Sequence, residues 1–162
     1  MYPGVSTVIP ISLTVLYYTP TPMRLVGGPA TVIDGDTLVV ADEQVRLEGI
    51  DAPEADQTCR RAGERYPCGA AATRALRSRI EAGIVMCRIS GQDPEGRLVG
   101  LCRLADQTDL GGWLVLRGHA LAYRRYSTRY VIQEDHARQE RSGLWTGEFV
   151  APWDWRAEER MD

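Results

Sequence analysis

Lysine is missing from this chain of 162 residues; all nineteen of its strongly basic side chains are arginine. Arginine stays charged and can grip a phosphate through two N–H donors. An all-arginine complement also arises from a compositional bias of the coding genome, so individual arginines need local arguments. An excess of positive charge is lacking too, since the net charge is −3. Phosphate neutralisation supplies most of the affinity of a non-specific nucleic-acid binder, so this balance speaks against tight, general DNA binding. It leaves room for a hydrolase, which gains nothing by holding its product. Residues 1–23 carry no charge at all. A secretory signal wants basic residues ahead of its apolar stretch and a small-residue cleavage site behind it, and neither is evident. The apolar run from Val5 to Tyr18 is interrupted by Pro10 and is too short for a good membrane span. A truncated signal, an extra strand and a disordered arm all remain open for it, with Thr19-Pro20-Thr21-Pro22 reading as a linker. No two of the four cysteines have the C-x2-C spacing of a zinc site, and His119 and His136 lie far from them. Repeats and low-complexity stretches are absent.

What is present suits one globular domain over residues 24–162. Apolar residues make up 44% of the chain and charged residues 25%, enough for a packed core and against bulk disorder. Pro29 to Ile50 is rich in β-branched residues and is broken at Asp34-Gly35-Asp36 and again at Ala41-Asp42-Glu43-Gln44. That pattern predicts three successive strands. Asp51-Ala52-Pro53-Glu54 ends the third, and the polar residues 55–67 read as a loop. Ala72, Leu76 and Ile80 recur at four-residue spacing, which predicts a helix from Cys68 to Ala82 stopped by Gly83. Ile84 to Ser90 and Leu98 to Leu104 are two further strands around a turn-forming segment, Gly91 to Gly96. Asp109 caps a helix running to about Arg117, Ala120 to Tyr123 suggests a short strand, and Val131 to Arg141 a third helix. The pattern is not the alternation of a parallel α/β sheet. It indicates an antiparallel α+β domain that a small, partly open barrel of five strands with three helices accommodates.

The cysteines add a geometric expectation. If residues 84–90 and 98–104 form a hairpin centred on Pro94 and Glu95, Cys87 and Cys102 lie directly opposite each other, close enough to pair. Cys59 and Cys68 would close a short loop beside the first helix. The alternative is that Cys87 and Cys102 are merely small buried apolar residues; the disulfides are favoured, and they point to an oxidising compartment.

Three clusters combine acids with arginines. Asp34-Gly35-Asp36 offers two carboxylates around a bend, either an ordinary turn or oxygen ligands for a hard cation. In Arg46 to Glu54, strand alternation would put Arg46, Glu48 and Ile50 on one face. An exposed Arg46–Glu48 pair is the plain reading, while Pro53 ends the alternation and lets Glu54 point into a site. Arg97 starts a strand after a glycine turn, where an arginine is usually solvated.

Taken together, Val32-Ile33-Asp34-Gly35-Asp36-Thr37, then Val45-Arg46-Leu47 through Ile50-Asp51-Ala52-Pro53-Glu54, then Asp93 through Gly96-Arg97 resemble the three signature segments of staphylococcal-nuclease-like (thermonuclease) domains. Gly118-His119-Ala120, Ala122-Tyr123 and Gly143-Leu144-Trp145 resemble the C-terminal half, and the resemblance covers roughly residues 28 to 156. The cysteines and the ending through Pro152-Trp153 and Trp155-Arg156 look like its secreted proteobacterial branch. The resemblance implies a five-stranded oligonucleotide/oligosaccharide-binding (OB-fold) barrel with three helices, acting as a monomer in the periplasm or outside the cell. It implies Ca2+-dependent hydrolysis of DNA or RNA, with little sequence specificity, to 3′-phosphate and 5′-hydroxyl products. Asp36, Asp51 and the Ala52 carbonyl would bind Ca2+. Glu54 would activate the attacking water, and Arg46 and Arg97 would clamp the phosphate. Tyr123 and Arg125 would contact substrate. Arg124, Arg125 and Arg129, interleaved with Tyr126 and Tyr130, either track phosphates and stack on bases or form a mixed surface whose tyrosines pack on the third helix. Three positions depart from the family pattern: Pro94 and Glu95 stand where a basic and an aromatic residue are usual, and Ala52 where threonine is. Similar proteins also sit in exopolysaccharide (succinoglycan) gene clusters. The competing expectation is therefore a non-catalytic module of the same barrel binding a nucleic acid or an anionic polysaccharide.

Overall fold

The structure is a computed structural model that describes residues 23–81 and 83–161. The readings of the apolar stretch and linker before Met23 fall outside the described residues. The β-branched runs form β1 (Arg24–Val32), β2 (Thr37–Val40) and β3 (Glu43–Leu47), consecutive and antiparallel. The β2–β3 turn is two residues, Ala41 and Asp42, both at positive φ. β3 stops at Leu47, earlier than its composition suggests, because Gly49 turns the chain with a φ of 79°, in the left-handed region. The chain resumes as β4 (Ile50–Asp51), so Arg46, Glu48 and Ile50 do not share a strand face. The polar segment expected to be a loop contains a small hairpin, β5 (Cys59–Arg61) and β6 (Glu64–Tyr66). Its polarity hid it, because both strands are too short to show an apolar alternation.

α1 (Cys68–Ile80) buries the expected stripe of Ala72, Leu76 and Ile80. β7 (Ile84–Gln92) and β8 (Leu98–Leu104) follow. α2 (Leu110–Leu116) is capped by Asp109, whose carboxylate accepts from the Gly112 N–H at 3.2 Å. Ala120 to Tyr123 reduces to β9 (Leu121–Ala122), which pairs with β4 outside the barrel. α3 (Val131–Gln139) and a 3-10 turn at Gly143–Thr146 lead to α4 (Pro152–Glu159), a helix the sequence pattern did not predict.

The strand order β1-β2-β3-β8-β7 closes into a barrel through β7 and β1, with β3 and β8 parallel and the other pairs antiparallel. The expected five-stranded α+β barrel is therefore present, closed where a partly open one was expected and with one parallel pair, and the described residues form four helices instead of three. Its interior is filled by Leu38, Val40, Val45, Leu47, Val85 and Leu98, joined by Leu76 and Ile80 of α1 and by Leu110, Leu114 and Val115. Each such side chain contributes on the order of 1.5–3 kcal/mol by leaving water. A second, smaller cluster joins Cys59, Cys68, Leu121 and Leu144 to Tyr66, Trp145, Phe149 and Trp153. It folds the C-terminal segment back over the β5–β6 hairpin, where Arg60 and Glu148 exchange backbone hydrogen bonds of 2.8 and 2.9 Å.

Both disulfides are formed, Cys59–Cys68 and Cys87–Cys102. The β7–β8 register places Cys87 opposite Cys102. It then slips between Ile89 and Gly91, where a bulge absorbs one residue before the turn. Cross-linking across a span of 15 residues restricts the unfolded chain by about 3 kcal/mol. Replacing both Cys87 and Cys102 with Ala is therefore expected to lower the unfolding free energy by about that amount in urea titrations. An unchanged midpoint would show that the hairpin register alone fixes this part of the barrel.

Candidate active site

Strand register sets the arginines. In the parallel β3–β8 pairing Arg46 lies beside Val99 and Val45 beside Leu98. Val45, Leu47 and Leu98 point into the core, so Arg46, Val99 and Arg97, on the alternate positions, face outward together. They line one side of a cavity of about 690 Å³ whose walls also include Asp34, Asp36, Ala52 and Glu54. The structure thus brings the three sequence clusters together at one place on the barrel.

Asp36 and Asp51 are buried, Asp51 completely. Asp36 accepts from the Thr37 hydroxyl at 3.0 Å and from the Ala52 N–H at 3.1 Å, which ties the first acidic bend to the second. Arg46 Nη2 lies 2.7 Å from Asp51 Oδ1 and 3.2 Å from Asp36 Oδ2. The plain expectation of an exposed Arg46–Glu48 pair is not met: Arg46 is turned to the buried carboxylates, and Glu48 accepts from Ser90 at 2.6 Å. Burial pushes the Asp36 carboxyl up from 3.8 to about 6; Arg46 opposes the rise, and repulsion from Asp34 and Asp51 adds to it. Burial works to lower the pKa of Arg46, but Asp36 and Asp51 outweigh it and hold the guanidinium above its ordinary value.

Glu54 follows Pro53, where the strand pattern ends as expected, and its backbone is fixed from two sides. The first turn of α1 packs so closely that a Cβ on Gly69 would lie 1.6 Å from the Glu54 carbonyl oxygen. The side chain of Gln57, fully buried, accepts from the Glu54 N–H at 3.1 Å and donates to the Val150 carbonyl at 2.8 Å. The Glu54 carboxylate meets a residue that the sequence reading assigned no role. Arg156 of α4 reaches Glu54 Oε1 at 2.5 Å and grips both oxygens of Asp51, at 3.1 and 2.7 Å. A signal for it exists in the sequence. Pro152 suits a first helical position, and Trp153 and Arg156, three apart, then share one helix face.

Beside Arg46 on this side of the cavity, Arg97 is tied to Asp93 at 2.7 Å and lies 3.5 Å from Glu95. Burial would raise the Asp93 carboxyl, but hydrogen bonds from Arg97 outweigh it and hold it below the usual range. Tyr123 and Arg125 line the cavity as well. The Tyr123 ring stacks flat on Trp153 with centroids 5.4 Å apart, so one of its faces is already covered. Of the tyrosines expected either to stack on bases or to pack on the third helix, the two readings divide. Tyr130 is buried and donates to both Asp109 oxygens, at 2.8 and 2.9 Å, whereas Tyr126 is 72% exposed. Arg124 is taken up by Glu134 and Asp135.

Among the described residues no group of three or more His, Cys, Asp or Glu is arranged to hold a metal ion. The chemistry of the acidic pair nonetheless fits a hard divalent cation. Asp36 and Asp51 are oxygen donors, the Ala52 carbonyl belongs to the same turn, and a cation would offset the burial, and with it the repulsion, that lifts Asp36. Water and substrate would supply the remaining ligands.

The family model of the staphylococcal nuclease homologues matches residues 44–147. The chain belongs to this family. It is 36% identical over 121 residues to the "Succinoglycan biosynthesis protein ExoI" of Rhizobium meliloti (strain 1021), a match spanning 73% of this chain and 63% of that protein. It is 30% identical over 155 residues to an "Uncharacterized endonuclease" of Escherichia coli O157:H7, spanning 91% and 95%. It is 29% identical over 128 residues to the "Probable staphylococcal-like nuclease CAN2" of rice (Oryza sativa subsp. japonica), spanning 77% and 32%.

The burial of Asp36 has a consequence for stability. Unfolded, its carboxyl ionises near 3.8; folded, near 6. Between those values the folded state keeps a proton that the unfolded state has released. Stability therefore falls as pH rises from about 4 to about 6 and does not recover above it. With chelator present, urea midpoints of the wild type are expected to decline over this window relative to those of Asp36→Asn. Parallel pH profiles for the two proteins would show that Asp36 ionises normally.

Proposed function

We propose that this protein is a Ca2+-dependent nuclease that hydrolyses DNA or RNA with little sequence specificity, leaving 3′-phosphate and 5′-hydroxyl ends. The observation that carries the reading is a single cavity lined by one carboxylate suited to a base, Glu54, two arginines, Arg46 and Arg97, and the buried acid Asp36, with Asp51 directly behind. Asp36, Asp51 and the Ala52 carbonyl would hold the cation, which would neutralise charge on the phosphate oxygens when bound. Arg46 and Arg97 bind those oxygens, where negative charge grows as the fifth oxygen joins phosphorus. Glu54 takes a proton from the attacking water. The new P–O bond forms as the bond to the 5′ oxygen breaks; that oxygen takes a proton from solvent water to become the hydroxyl, and Glu54 returns its proton to solvent. Tyr123 and Arg125 line the same cavity and would contact the neighbouring nucleotide. Two disulfides suit an oxidising compartment, the periplasm or the cell exterior. Among the described residues no helix is long and apolar enough to cross a membrane.

One observation favours a second reading. Each arginine of the clamp is already paired with acids, Arg46 with Asp36 and Asp51, Arg97 with Asp93 and Glu95. A barrel whose arginines stay so paired would bind without cleaving, with a nucleic acid or an anionic polysaccharide as ligand. The succinoglycan name of the Rhizobium relative is in keeping with the polysaccharide.

Digestion of plasmid, single-stranded DNA and RNA with Ca2+, Mg2+ or chelator separates the two. Cleavage is expected only with a divalent cation, best with Ca2+. Arg97→Ala and Glu54→Gln are each expected to slow it by at least about 10²-fold, the usual cost of removing one transition-state stabiliser. Binding of polymer without Ca2+-dependent cleavage would establish the second reading, and undiminished turnover in both variants would overturn the assigned roles.

A further inference from the structure

Arg156 touches more of the site than either arginine of the proposed clamp. Its two Nη groups donate to both oxygens of Asp51 and to Glu54 Oε1. Burial works to lower its pKa, but hydrogen bonds to Asp51 and Glu54 outweigh this and hold the guanidinium well above its ordinary value. Two contacts that do not involve Arg156 anchor the segment that carries it. Gln57 links the Glu54 N–H to the Val150 carbonyl, two residues before α4 begins. Trp153, in the first turn of α4, stacks on Tyr123 with ring planes 4° apart. α4 is thus fastened to the backbone of Glu54 and to Tyr123 in the cavity lining, and it presents one guanidinium across two carboxylates.

We propose that Arg156 is a positioning residue of the site: it fixes Glu54 against Asp51 and shares Asp51 with the incoming divalent cation. The inference rests on the nuclease reading for its effect on turnover, but not for its effect on the cation. Both oxygens of Asp51 accept from Arg156, so a cation that coordinates Asp51 draws on electron pairs already shared with a positive group. Two cations on one carboxylate weaken each other's hold, a coupling typically worth about 5- to 150-fold in affinity. The same guanidinium keeps Glu54 from swinging, and misplacing a reacting group costs about 10²-fold in rate. Removing the charge therefore has opposite effects on the two functions, whereas a merely structural residue, once lost, would weaken both.

The test compares wild type, Arg156→Met, which keeps length and loses charge, and Arg156→Lys, which keeps charge and loses the two-pronged grip. Calorimetric titration of substrate-free protein with CaCl2 is expected to show about tenfold tighter binding in Arg156→Met. Arg156→Lys should return towards the wild-type value. Cleavage of single-stranded DNA at saturating Ca2+ is expected to lose about 10²-fold in kcat in Arg156→Met with KM little changed. Calcium affinity unchanged or weaker in Arg156→Met overturns the sharing of Asp51, and unchanged kcat overturns the positioning of Glu54. If Arg156→Met does not fold, Arg156→Lys decides: its kcat must fall below wild type, and full activity overturns the proposal. A wild type that binds Ca2+ but cleaves nothing defeats the nuclease reading instead, and the calcium titration then decides the role of Arg156 alone.

Discussion

Asp51 carries a charge with no contact to water, and such a carboxylate persists only where positive groups and hydrogen-bond donors replace its hydration. Two guanidiniums do so, Arg46 from the barrel and Arg156 from α4. Removing one partner of a buried pair leaves an uncompensated charge at a cost of about 3–5 kcal/mol. The geometry around Asp51 is therefore tightly constrained. Arg46 is fixed by its place in both the β2–β3 hairpin and the parallel β3–β8 pairing. Asp51 is fixed by the pairing of β4 with β9. A slip of one residue in β3 would turn Arg46 inward and expel Val45 or Leu47. The register that packs the core is thus also the register that neutralises the site.

The second guanidinium comes from nearly the far end of the chain, and a separate set of contacts delivers it. The Cys59–Cys68 bond closes the segment holding β5 and β6. Arg60 then pairs with Glu148, and the aromatic rings of Tyr66, Trp145, Phe149 and Trp153 gather on the disulfide. Gln57 completes the link by joining Glu54 to Val150. Glu54 consequently sits at the seam between the barrel and its C-terminal arm, held by groups from both.

Much of this was legible in the sequence, for identifiable reasons. Strands with β-branched residues and clear turn signals were readable, as was the helix whose apolar positions recur every four residues. The facing of Cys87 and Cys102 followed from hairpin symmetry about Pro94 and Glu95; in the structure Gln92 faces Leu98 across a turn centred on Glu95, and the bulge between Ile89 and Gly91 restores the register that puts the two cysteines opposite each other. The gathering of Asp36, Arg46, Glu54 and Arg97 followed from the ordered family segments and not from local pattern, which would have left Arg46 on an exposed strand face. What stayed hidden is held by contacts between distant residues. The β5–β6 hairpin has no apolar face of its own and depends on Glu148. α4 is short and polar, and Trp153 and Arg156 gain meaning only once Tyr123 and Asp51 are beside them.

The ion pairs around the cavity differ in how readily they can be exchanged for a ligand. Arg97 pairs with Asp93 four residues away and with Glu95, which is 66% exposed. Pairs open to water contribute little, about 0–1 kcal/mol, because solvent can take over from either partner. A phosphate can therefore draw Arg97 away from Glu95 at small cost. Arg46 stands at the other extreme, with most of its side chain covered and a fully buried partner. In the proposed reaction the two arginines accordingly play unequal parts. Arg46 keeps its carboxylates and offers the phosphate a fixed edge, while Arg97 changes partners. Carboxylates beside Arg97 raise the cost of a terminal phosphate, with its second negative charge, above that of an internal diester with one. On the proposed reaction, the departure at Glu95 would bear on which phosphates are accepted, while Glu54 and Arg46 would keep the setting that the chemistry requires.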